Sequence, residues 1–316
     1  MRPIFADPKT DFVFKRIFGS EAHKPLLIEL LNALLELTGE HCIVNLEYLP
    51  SEQHVPVAEL KLSLVDVKCF DHTGRHYVVE MQVLNVEGFE KRIVYNTSKA
   101  YVTQLGKGQD YPQLNDVIGV TICDFLLWPE PPQPGGPPVP MLSRWRMQEQ
   151  HGGAQGLSQL QFVFLELPKY AAGPEPVTVV DRWAYFFREA ENLQRVPPAL
   201  AVEPFRGALE VARMASFTPE ELESYDRARM IEQDARGALS LAARQGEARG
   251  EVRGHQKGLV EGLALGREAG LRDTIRTLCQ VFGIELDAAR EATLARLETA
   301  ELEALKERLV RERQWS

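Results

Sequence analysis

The chain has 316 residues, of which 44% are hydrophobic and 26% charged, and a formal net charge of −9. This is the composition of a globular protein with a sizeable core, which excludes disorder along the whole length and allows two domains or one domain with an extension. The acidic balance excludes a broad basic face that would hold nucleic acid by phosphate neutralisation alone, so any such contact must be local or metal-assisted. Four scattered cysteines, Cys42, Cys69, Cys123 and Cys279, form no C-x-x-C pair and suit a reducing compartment. No signal peptide or run of about 18 apolar residues is present, and the expectation is a soluble, cytoplasmic protein with no membrane partner.

Asp7 and Pro8 read as an N-cap and first helical residue, with Phe12, Ile17 and Phe18 following at near-helical spacing. Residues 25–37 (PLLIELLNALLEL) predict a second, strongly apolar helix that stops near Gly39. The period then falls to two, with strands predicted over 43–49, 62–70 and 77–84. The last two flank Asp71-His72-Thr73-Gly74, a turn signal, and make a β-hairpin. A helix follows over 86–105, then a buried strand over 117–125 (VIGVTICDF).

The prolines of the 129–140 segment forbid regular structure there. A strand over 160–167 and an amphipathic helix over 180–191 complete a core ending near residue 215, and residues 216–316 are helical by pattern. The expected fold class is α/β, with a C-terminal helical extension.

Centring the hairpin turn on Thr73 places Asp66 opposite Glu80, each seven residues away, with Gln82 two residues further along the same face. Facing carboxylates, with Cβ atoms roughly 5 Å apart, repel unless solvated or neutralised, and would suit a shared hard cation such as Mg²⁺ or Mn²⁺. Val65, Val67, Val79, Met81 and Val83 are expected on the opposite face, and Leu62, Leu64 and Val78 beside the carboxylates. A half-exposed hairpin with ordinary outward polar residues fits the same spacing. His72 and His76 are separated by a turn, with no third ligand nearby, and do not read as a zinc site.

Asp66 followed by Glu80-Met81-Gln82 resembles the D…E-x-K signature of PD-(D/E)xK nucleases in an E-x-Q variant. The ordered blocks DFVFKRIF (11–18), VDVKCFD (65–71), VEMQ (79–82), RIVY (92–95) and LGKGQDYPQLNDVIGVTICDF (105–125) resemble the Rpn family of recombination-promoting nucleases, also called putative transposases. The resemblance covers most of residues 5–190. It implies a restriction-endonuclease-like core, a mixed sheet flanked by helices, and Mg²⁺- or Mn²⁺-dependent hydrolysis of DNA phosphodiesters in recombination or transposition.

By position, Asp66 and Glu80 would be metal ligands and the Met81 backbone carbonyl would complete the shell. Gln82 stands where the lysine usually does; it can orient a water but supplies no positive charge. Asp11 is a possible additional acid, or a helix N-terminal carboxylate favoured by the macrodipole. Lys15, Arg16, Lys91 and Arg92 are candidates for phosphate contacts, or solvated helix faces. Tyr95, Tyr101 and Tyr111 either pack or stack on unpaired bases. The same resemblance leaves room for a catalytically weak or inactive nuclease fold kept as an oligomeric DNA- or protein-binding module, and for RNA as substrate.

In the tail, Gly246, Gly250, Gly254, Gly258, Gly262, Gly266 and Gly270 recur every fourth residue. Each costs a helix interior about 0.8–1 kcal/mol relative to alanine. Small residues at this spacing allow close helix approach, and the charges between them exclude a membrane span. The stripe reads as a homo-oligomerisation arm or as a flexible linker. Leu294, Leu297, Leu302, Leu305 and Leu309 supply an apolar stripe for a small helical hairpin or a partner.

Overall fold

In the computed structural model, which describes residues 3–53, 63–106, 108–131, 134–153 and 156–315, the first helix, α1 (Asp11–Phe18), begins three residues later than Pro8. Asp7 is drawn inward instead of capping it. Its carboxylate accepts the Lys9 amide at 3.0 Å and its own amide donates to the Tyr225 hydroxyl. α2 (Lys24–Leu35) buries Leu26, Leu27, Leu30, Leu31 and Leu34 and is stopped by Glu36 in the left-handed region, φ 52°.

β1 (Leu46–Leu49) starts later than expected because the Asn32 side chain ties up both main-chain groups of Ile43. The short pair β2 (Glu52–Gln53) and β3 (Ser63–Leu64) precedes β4 (Val67–Asp71) and β5 (His76–Gln82). Leu62 lies outside the described residues. The chain then continues through α3 (Phe89–Val102), β6 (Val117–Cys123), β7 (Leu142–Gln148), β8 (Gly156–Glu166), α4 (Val179–Glu189) and α5 (Phe205–Val211). β7 has no counterpart among the sequence-predicted strands.

Six strands form one mixed sheet in the order β1-β4-β5-β6-β8-β7. β5, β6 and β8 are parallel and the outer pairings antiparallel. Parallel neighbours need a crossover, which α3 supplies between β5 and β6. α3 lies on one face, where Phe89 and Ile93 meet Cys123, Leu127 and Phe164, and Ala100 meets Val65, Val78 and Val117. α1, α2, α4 and α5 cover the other face over Val67, Cys69, Tyr77, Val79, Ile118, Val120 and Val163. This is the expected restriction-endonuclease-like α/β arrangement.

α3 approaches β6 closely. A Cβ on Gly119 would stand 2.6 Å from Thr97 Oγ1, so only glycine fits there. Below the sheet end, fully buried Glu166 accepts the Leu127 and Trp128 amides and pairs with Lys169 at 2.6 Å, which anchors the chain as it enters the proline-rich segment.

The chain divides into two compact units, Met1–Arg236 and Gly237–Ser316. The long helix α6 (Pro219–Phe282) gives its first turns to the first unit, where Arg229 pairs with Asp7 and Glu191, and Arg236 with Asp124. The first unit therefore extends past residue 215. In the second unit, Ile275 and Cys279 of α6 close a small core with Leu294 of α7 (Ala288–Arg296) and Leu302, Leu305 and Leu309 of α8 (Thr299–Glu312). α6 stays helical through all seven glycines of the stripe, and none of their Cβ positions would meet another atom within 4 Å. No helix among the described residues is long and apolar enough to cross a membrane.

Candidate active site

The hairpin register follows from its turn. Gly74 takes the left-handed conformation, φ 85°, that the bend requires, and Val67 faces Val79 while Phe70 faces His76. Continuing that register one residue outward sets Asp66 opposite Glu80. The chain bends at Asp66 and leaves the ladder, and this bend corrects one expectation. Val65 does not continue the Val67 face but packs with Val78, Ala100 and Val117 under α3.

Because β4 ends before Asp66, the main-chain groups of Met81 have lost their strand partner. The Met81 amide donates to Asp66 Oδ2 at 2.7 Å. In a strand the N–H and C=O of one residue point the same way, so the Met81 carbonyl points to the same edge of β5 as its amide. The neighbouring Gln82 carbonyl points to the other side and accepts the Asp124 amide.

α3 reaches this strand end through residues four apart. Two strand residues advance about 6.6 Å and four helix residues about 6 Å, so alternate positions on β5 can meet successive turns of α3. Asn96 Nδ2 donates 2.7 Å to Glu80 Oε1, and the Arg92 guanidinium donates to Gln82 Oε1. Gln82 Nε2 in turn donates to the Leu84 carbonyl. Neither Asn96 nor its pairing with Glu80 was anticipated; its i,i+4 spacing from Arg92 was the available signal.

From the other side α1 contributes Asp11 and Lys15, one turn apart. Lys15 Nζ lies 2.6 Å from Asp11 Oδ1 and 3.7 Å from Asp66 Oδ1. The hairpin, α3 and α1 thus bring together Asp66, Glu80, the Met81 main chain, Gln82, Asp11, Lys15 and Arg92. Lys91 is exposed on α3 and makes no ion pair among the described residues. Tyr101 packs against the Val65 and Val78 cluster, and Tyr111 is exposed.

The electrostatics are unfavourable for two bare anions. Burial pushes the Asp66 carboxyl up to about 7, with Asp11 and Glu80 adding to the rise and the Met81 amide and Lys15 opposing it. Burial also raises Glu80, only 7% exposed, against the Asn96 hydrogen bond and the Arg92 charge. Among the described residues no three His, Cys, Asp or Glu side chains converge as a metal-ligand group. Asp66, Glu80 and the Met81 carbonyl would offer only hard oxygens, the donors that suit a cation retaining several waters.

No curated protein and no solved structure matches this chain. The family model described as PD-(D/E)XK nuclease family transposase matches residues 8–242, which span α1, the whole mixed sheet and the start of α6. The chain belongs to the PD-(D/E)XK nuclease family transposases.

Proposed function

We propose that this protein is a Mg²⁺- or Mn²⁺-dependent DNA endonuclease acting in recombination or transposition. The observation that supports it most is the strand end where Asp66, half-buried and opposite the buried Glu80, accepts the Met81 amide and is raised by desolvation and by the Asp11 and Glu80 charges. Asp66, Glu80 and Met81 O would hold the cation, which lowers the pKa of a bound water and stabilises the leaving oxygen. Asn96 fixes the Glu80 carboxylate, and Arg92 orients Gln82 beside it. Lys91 and Arg92 on α3 and Lys15 on α1 are the basic groups for DNA phosphates. With a net charge of −9, binding should be salt-sensitive and weak without divalent cation.

The test is plasmid nicking by purified protein with and without Mg²⁺, beside Asp66→Ala and Glu80→Ala. Divalent-dependent nicking that both substitutions abolish is the expected result, and equal nicking by wild type and either variant would overturn the assignment. Labelled RNA in parallel separates the two phosphodiester substrates.

A second reading, an inactive nuclease fold used as a binding module, draws on Gln82, whose amide is hydrogen-bonded at both ends within the chain. Absence of Mg²⁺ and Mn²⁺ binding would favour it. For the tail we propose homo-oligomerisation through α6, since a long helix that leaves Val252, Leu259, Val260, Leu263 and Leu265 exposed beside an open glycine stripe gains little from its own chain. An oligomer mass that survives deletion of residues 240–272 would contradict this.

A further inference from the structure

An E-x-Q motif brings no ammonium to the carboxylate pair, and here both ends of the glutamine amide are already engaged within the chain. Its Oε1 accepts from Arg92 and its Nε2 donates 2.9 Å to the Leu84 carbonyl. The geometry points to Lys15, from a different element of the fold, as the catalytic cation that does the work assigned to the lysine of E-x-K. This assignment rests on the nuclease reading above.

Three observations converge on Lys15. Its ammonium is 3.7 Å from Asp66 Oδ1, on the carboxylate oxygen that the Met81 amide does not use. Its side chain is 44% exposed against 18% for Asp66, so the lysine that pairs with this carboxylate is also open to a phosphate arriving from solvent. The helix beneath it is immobilised: Val13, Phe14, Ile17 and Phe18 are fully buried, while Arg16 donates to the Val211 carbonyl, pairs with Glu221 and lies over the Phe217 ring. A flexible side chain on a fixed helix, steadied by Asp11 one turn away, brings to Asp66 the ammonium that Gln82 does not supply. An ammonium has three donors, of which Asp11 engages one at close range.

In the reaction, water delivers its oxygen to phosphorus as the bond from phosphorus to the leaving oxygen breaks. One water proton passes to solvent, and the leaving oxygen takes one from solvent. Lys15 neither gains nor loses a proton overall; it donates a hydrogen bond to a non-bridging phosphate oxygen or to the attacking water and offsets the charge that builds there. Asp11 is then a positioning residue, acting through Lys15.

The experiment compares wild type, Lys15→Ala, Lys15→Arg, Gln82→Lys and the double variant Lys15→Ala/Gln82→Lys in Mg²⁺-dependent nicking. Mn²⁺ affinity and thermal unfolding are measured on the same proteins. Lys15→Ala should lower kcat by about 10²–10³-fold, the effect of losing one transition-state donor, with little change in KM. Its Mn²⁺ affinity should be equal or tighter, because a repelling cation has gone, and its unfolding should be unchanged. Lys15→Arg should retain part of the rate, and Gln82→Lys should restore at least about tenfold to Lys15→Ala by returning an ammonium from the strand. Wild-type nicking that Lys15→Ala leaves intact would overturn the inference and leave the nuclease reading standing. Loss of Mn²⁺ binding or of folded protein in Lys15→Ala, or no recovery in the double variant, would also overturn it. Wild type that does not nick in Mg²⁺ defeats the nuclease reading itself, and wild type that nicks equally with no divalent ion defeats its metal dependence.

Discussion

The two ends of one hairpin hold two aspartates five residues apart with opposite fates. At the turn, the Asp71 carboxylate is fully served: Oδ1 accepts from Thr73 N, Thr73 Oγ1 and Arg75 N, and Oδ2 accepts from the Tyr77 hydroxyl at 2.7 Å. Burial pushes its pKa up, but these donors outweigh it and hold the carboxyl below its usual value. At the open end, Asp66 receives one main-chain hydrogen bond, a longer ion pair to Lys15 and two acidic neighbours, and it titrates near 7. The first carboxylate builds the turn that sets the register; the second is placed by that register where its charge is unwelcome unless a cation arrives. A buried, poorly satisfied acid beside another acid marks a site, whereas a buried, saturated one marks structure.

The comparison can be broken most forcefully by matched substitutions. Asp66→Asn should remove divalent-dependent nicking by about 10²–10³-fold or more while leaving the fold as stable as wild type or more so. Asp71→Asn should do the reverse, keeping cleavage and losing about 1.5–3 kcal/mol of stability in denaturant unfolding, the usual scale for hydrogen bonds to a charged group. If both variants lose activity together, the division between structural and functional ends is wrong.

The pH dependence of stability without added metal sharpens the same contrast with opposite signs. Asp66 binds its proton more tightly folded than unfolded, so its contribution to stability falls as pH rises from near 4 to about 7, on the order of a few kcal/mol at most. Asp71 binds its proton less tightly folded, so its contribution is present above the unfolded carboxylate value and is lost as pH drops through the folded one. Thermal melts across pH should therefore lose part of their decline between about pH 4 and 7 in Asp66→Asn, and part of their acid-side fall in Asp71→Asn.

The hairpin was legible in the sequence because a short turn with Gly74 and Asp71 fixes register, and register fixes what lies opposite Glu80. Val65 was misplaced because strict alternation assumes an unbroken strand, and the chain bends at Asp66. The start of α1 was misread since Asp7 spends its carboxylate on a local turn and on Arg229 of α6, a residue more than 200 positions away. β7 escaped notice because LSRWRMQ is an edge strand with a largely exposed pattern, and only its pairing with β8 defines it. The i,i+4 relation of Asp11 and Lys15 was visible as helix spacing, but nothing local says that this helix ends beside the hairpin. α1 and the hairpin, far apart in sequence, meet at Asp66, and the meeting point is set by packing of the apolar faces, which local pattern does not encode.

We propose that the open end of the hairpin, and not its turn, receives the divalent cation. Titration of Mn²⁺ into the metal-free protein, followed by calorimetry or by the electron paramagnetic resonance of the free ion, tests this directly with wild type, Asp66→Asn and Asp71→Asn. Saturable binding is expected in wild type and in Asp71→Asn, and its loss in Asp66→Asn. Binding that persists in Asp66→Asn, or wild type that binds no Mn²⁺, would contradict it.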